Sequence, residues 1–216
     1  MAEGTERKVT HPPAMSRDTI FQKIRSALEP IKEKAAHPGF EEAMLISPVR
    51  TAGSPVEAFS RNFTTVNGRV MSTLEEVIDL LRAQNHQVGY CDPSLMETLG
   101  RPLADAGFEV RTEYCRENYD DYDFGITRAT GGIAETGSII LDDAHTSDRL
   151  AALSPWVHIA VLSRAAIHPS VPAAIAHLGS SRNIIWVTGP SKTADVEGIL
   201  IEGVHGPGEQ IAFLVD

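Results

Sequence analysis

Cysteine is almost missing from this sequence, which has only Cys91 and Cys115 among 216 residues. An iron–sulfur cluster normally takes four thiolate ligands, so the chain cannot hold one alone. Its eight histidines show no H-E-x-x-H or comparable spacing and do not pair with the cysteines, which leaves no case for a metal site. Basic residues are also few: 19 Lys and Arg against 29 Asp and Glu give a formal charge of -10. With no basic stripe to offset it, that balance repels phosphate backbones and argues against a nucleic-acid partner. Long apolar runs are absent too. The longest, such as Val157–Leu162, falls far short of the roughly 20 residues that span a bilayer, so no membrane span is expected. Met1–Ile20 carries charges and prolines in place of a secretory apolar stretch, which predicts a cytoplasmic protein with reduced thiols. There is no G-x-G-x-x-G, and a P-loop would need glycine where Trp186 and Ser191 stand. No G-x-S-x-G elbow occurs either.

The remaining composition, 42% hydrophobic and 22% charged, is that of a folded domain. Residues 1–15 read as a flexible tail and 16–216 as a single domain, of which 16–65 form a helical N-terminal extension. Ser16 is a candidate N-cap for a helix with Ile20, Phe21, Ile24, Ala27 and Leu28 on one face, ended by Pro30. Residues 30–53 read as an irregular connector. Ser54-Pro55-Val56-Glu57 is a capping box with proline at the first helical position. From residue 70, helices alternate with short apolar strands. Helices are predicted at Thr73–Gln84, Pro93–Ala106 (interrupted at Pro102), Ser147–Leu153 and Ser170–Leu178. Strands are predicted at His86–Cys91, Phe108–Thr112, Val157–Leu162, Asn183–Thr188 and Gln210–Val215, and 124–141 reads as strand, turn, strand. Such alternation predicts an α/β fold with a mostly parallel sheet and helices on both faces. The apolar run Ile184–Val187 is expected to be covered on both sides.

Ligands in such sheets usually sit beyond the carboxyl ends of the strands, and two segments qualify. In 125–138, glycines permit a close approach. Glu135 is the sole carboxylate there and a candidate acid, base or nucleophile. Thr127, Thr136, Gly137 and Ser138 are candidate ligand contacts, and the alternative is a plain hairpin. In 188–198, a glycine turn precedes a possible helix start, whose free N–H groups suit an anion. Gly189, Ser191, Lys192, Thr193, Asp195 and Glu197 are the candidates, although helix capping alone explains Ser191 or Thr193. His205, beside Gly206 in a glycine-flanked turn, is a candidate for proton transfer or anion binding, or an ordinary turn histidine. The expected arrangement gathers Glu135, Ser191, Thr193 and His205 around one hollow. His158, inside an apolar strand, reads as a hydrogen-bonded core residue.

Ile133–Gly137, Thr188–Ser191, Thr193–Gly198 and Gly203–Pro207, in this order, resemble the signature of the lactate-utilisation protein C family, built on the LUD domain. The resemblance implies a fold related to the superfamily of CoA transferases, ribose-phosphate isomerases and glucosamine-phosphate deaminases. It also implies a non-redox subunit of a system oxidising L-lactate to pyruvate, with iron–sulfur clusters in partner proteins and no cofactor of its own. A small carboxylate or phosphate is the implied ligand. The alternatives are a free-standing acyl-transfer or sugar-phosphate isomerase-like enzyme using Glu135, and a structural partner without catalysis. Thr130 and Arg128 depart from the family pattern, where an acidic and a small residue are usual. Arg128 favours an anion there.

Overall fold

The computed structural model describes residues 16–30, 46–146, 148–179, 183–193 and 199–216. The tail 1–15, most of the 30–53 connector, and Asp195 and Glu197 lie outside the described residues. The chain divides into two units, Met1–Phe40 and Glu41–Asp216. In the first, α1 (Arg17–Leu28) starts at Ser16, whose side chain accepts from the Thr19 N–H.

In the second unit the elements run α2 (Pro55–Thr65), β1 (Arg69–Met71), α3 (Leu74–Ala83), β2 (Val88–Cys91), α4 (Arg101–Asp105), β3 (Glu109–Arg111), β4 (Phe124–Arg128), β5 (Gly131–Ile133), β6 (Ser138–Asp142), β7 (Val157–Ser163), β8 (Ile167–His168), α5 (Val171–His177), β9 (Ile184–Val187), β10 (Lys192–Thr193), β11 (Ile201–Glu202) and β12 (Glu209–Val215). Local chemistry explains the helix starts. Ser54 with Glu57 and Thr73 with Glu76 close reciprocal capping boxes on α2 and α3, each satisfying orphan N–H groups. Ser170 caps α5 by accepting from Ala173.

Six strands form a wholly parallel sheet in the order β1-β12-β7-β4-β2-β3. Its central strands β12, β7 and β4 are apolar on alternating faces. On one face Phe124, Ile126, Ile159, Val161 and Phe213 meet Val77 and Leu81 of α3 with Leu99 and Leu103. On the other, Ala160, Leu162, Ala212 and Leu214 meet Phe59 and Phe63 of α2, whose rings stack 5.3 Å apart. Both faces are therefore covered, as parallel sheets require.

The structure corrects several expectations. The 124–141 stretch does not stay in one sheet. It breaks at Ala129–Thr130 and enters a second, mixed sheet of order β8-β5-β6-β9, because β5 pairs with β8 and folds back antiparallel onto β6. The run Ile184–Val187 is the edge of this second sheet, with Trp186 38% exposed. The expected helix 93–106 winds at three pitches: a 3-10 turn (Pro93–Leu95), a π turn (Met96–Gly100) and then α4. Pro102, lacking an N–H, sits at the start of the last piece, where none is required. Of the helix expected over 147–153, residue 147 lies outside the described residues and the rest contracts to a 3-10 turn, Leu150–Ala152, with the Leu150 N–H donated to Asp148 Oδ1. Lys192 and Thr193 form a strand paired with β11 in place of a first helical turn. Among the described residues no helix is long and apolar enough to cross a membrane.

Candidate functional site

Glu135 lies in the turn between β5 and β6, where the chain runs on beside β8. The Ala134 N–H donates to His168 O at 2.8 Å and the Glu135 N–H to Pro169 O at 3.2 Å. Glu135 as a whole is 8% exposed. Oε1 accepts from the Ser47 N–H at 3.1 Å and Oε2 from the Val171 N–H at 3.4 Å. The second donor is one that the first turn of α5 leaves free. Among the described residues no cationic side chain pairs with it, and its partners there are backbone N–H groups. Asn62 on α2 fastens the same turn from the other side, its Nδ2 lying 2.7 Å from Ala134 O and 2.8 Å from Arg50 O. Neither Ser47 nor Asn62 was legible as part of the site, since each reaches Glu135 only through tertiary packing.

Next to it, Gly137 takes φ +64, and a Cβ there would stand 2.3 Å from the Phe63 nitrogen. The turn is thereby pressed onto α2, and only glycine fits. Thr136 Oγ1 lies 2.7 Å from Ser138 Oγ, which lies 2.7 Å from Thr188 Oγ1. This row of three hydroxyls is where the two candidate stretches meet, brought together by the antiparallel register Ile139↔Val187. Each hydroxyl can donate and accept, so the row can turn its donors toward an anion at its end.

Beyond Thr188 the second stretch departs. Gly189, at φ +79, packs against Val66 O. Lys192 Nζ donates to Val66 O at 3.0 Å and faces Glu202 at 3.5 Å. Ser191 donates its N–H to Pro207 O and accepts from Gly203, both at 2.9 Å, and Gly206 lies against its side chain. Thr193 sits in β10 opposite Ile201, and His205 is exposed. Ser191, Gly206 and the 203–207 turn thus make a cluster of their own, and no hydrogen bond among the described residues links them to Glu135. Thr127 is fully buried and bonds His158 Nε2 at 2.8 Å, while Gln210 meets the Nδ1 side. Burial pushes the His158 pKa down to about 4, against a smaller upward pull from the Gln210 hydrogen bond.

Together these features define an α/β protein with a parallel core sheet and a small appended sheet that carries a buried glutamate. The model of the family described as the LUD domain matches residues 70–215, and the chain belongs to that family. Its curated relatives include lactate utilization protein C of Shouchella clausii, 27% identical over 166 residues, covering 69% of this chain and 70% of the relative. Lactate utilization protein C of Deinococcus radiodurans is 37% identical over 95 residues, 41% of this chain and 44% of the relative. A crystal structure of a DUF162 family protein from Deinococcus radiodurans shares the fold with a TM-score of 0.55 at 22% identity, covering 75% of this chain and 96% of that one.

Proposed function

We propose that the chain is the non-redox component of a cytoplasmic system oxidising L-lactate to pyruvate, whose iron–sulfur clusters reside in partner proteins. The carrying observation is membership of the LUD domain family across residues 70–215, with relatives named for lactate utilization. The state of Cys91 agrees with this division. Cys91 is buried, and burial, helped by the Asp92 charge, pushes its pKa up to about 12. A thiol so reluctant to ionise is a poor metal ligand. In this reading the Thr136, Ser138 and Thr188 hydroxyls receive a small carboxylate or phosphate, and Glu135 fixes the turn that presents them.

The test is reconstitution. The chain mixed with its iron–sulfur partners should support lactate-dependent dye reduction that neither preparation supports alone. Turnover of acyl-CoA or a sugar phosphate by the chain alone, abolished in Glu135→Gln, would overturn the reading in favour of a free-standing enzyme. Undiminished lactate-dependent reduction when the chain is left out would leave it without a role in the system.

A further inference from the structure

A cleft of about 590 Å³ opens beside the carboxyl end of β4, lined by Arg128, Thr130, Asp142, His145, His177 and Gly179 among others. Glu135 and the hydroxyl row are not among its lining residues. Phe124–Thr127 are buried, whereas Arg128, the last residue of the strand, is exposed. Its guanidinium makes no ion pair or hydrogen bond with any described residue. In a chain of formal charge -10, an arginine left without a carboxylate is a fork free to take an oxyanion from outside.

The neighbours are arranged to the same end. Asp142 Oδ1 accepts from the Ala144 and His145 N–H groups at 2.9 and 3.0 Å and from His145 Nδ1 at 2.8 Å. Three donors thus converge on that one carboxylate oxygen. His177 donates Nδ1–H to Ala173 O at 2.7 Å and stacks on His168 with ring centroids 4.6 Å apart. In both His145 and His177, Nδ1 faces an acceptor, and Nε2 makes no hydrogen bond with any described residue. Thr130 gives its hydroxyl to Ile140 O. The volume exceeds that of a bare ion.

We infer that this cleft binds a small molecule through a carboxylate or phosphate group, with Arg128 as the forked partner and His145 and His177 lining the cleft beside it. The site is independent of the lactate role and of the hydroxyl row. Calorimetric titration of the full chain with inorganic phosphate and, separately, with malonate tests it and distinguishes the two anion sources. At least one probe should bind saturably, Arg128→Ala should weaken it at least tenfold, and Arg128→Lys should weaken it less. Arg101→Ala, which removes an exposed arginine paired with Glu97 away from the cleft, should bind as the parent does. Because the Arg128 side chain has no hydrogen-bond or ion-pair partner among the described residues, its variants should melt at the parental temperature. No saturable binding of either probe, or binding indifferent to Arg128→Ala, would overturn the inference.

Discussion

Acidification should loosen the centre of the parallel sheet through a single residue. His158 has 0% exposure and only the neutral partners Thr127 and Gln210, so a protonated ring would be a buried charge without a counter-ion. Its pKa falls from the ordinary 6.5 to about 4 in the fold. Above 6.5 the ring is neutral folded and unfolded, and it adds no pH dependence. Between 6.5 and about 4 only the unfolded chain takes up the proton, so stability drops as pH falls across that window. At roughly 1.4 kcal/mol per pH unit, the loss approaches about 3 kcal/mol near pH 4. Urea unfolding at steps from pH 7.5 to 4.5 should show this slope in the parent, and His158→Gln should flatten it whatever its own baseline stability. Imidazole carbon shifts of the parent provide the direct measurement, with no protonation of His158 down to about pH 5. Equal slopes in the two proteins, or a His158 titration near its ordinary value, would mean that this histidine does not set the acid sensitivity of the fold.

Two further outcomes follow from local geometry. Gly137→Ala should cost about 3 kcal/mol or more, because it adds backbone collision to the left-handed conformation. Gly107→Ala, at φ +99 with nothing within 4 Å of the new Cβ, should cost only about 1 kcal/mol. Urea midpoints of the two variants measure the contrast, and equal losses would mean that the α2 contact does not restrain the Glu135 turn. Ser54→Ala should lower stability by about 1 kcal/mol through loss of the capping box on α2, measured the same way.

What was legible in the sequence was what neighbouring residues decide. Ser54-Pro55-Val56-Glu57 and Ser170-Val171-Pro172 carry their own caps, and α2 and α5 begin at those residues. The strands β7 and β12 are long and apolar enough to declare themselves. β1 escaped notice because its three residues become a strand only by pairing with Ile211–Phe213. The second sheet escaped because β5, β6 and β9 look like members of the first until the pairing of Gly132 with Ile167 redirects the chain. At the site, Glu135, Thr136 and Ser138 could be named from type and spacing, whereas Thr188 joins them only through the pairing of β6 with β9. That Glu135 would reach Ser47 and Val171, with Ser191 turned toward Pro207, depends on contacts the local sequence does not encode. His158 was legible as a core residue, but its partner Gln210 was not.

The main sheet ends on either side in a strand only three residues long, β1 and β3, and charge guards both borders. Arg69 grips Glu209, and Arg111 holds Glu109 and Asp121. Exposed strand borders are templates for aggregation, and brevity and charge are ways of blunting them. The apolar middle strands are thus shielded from pairing with other molecules, and the borders that remain are poor templates for a growing fibril.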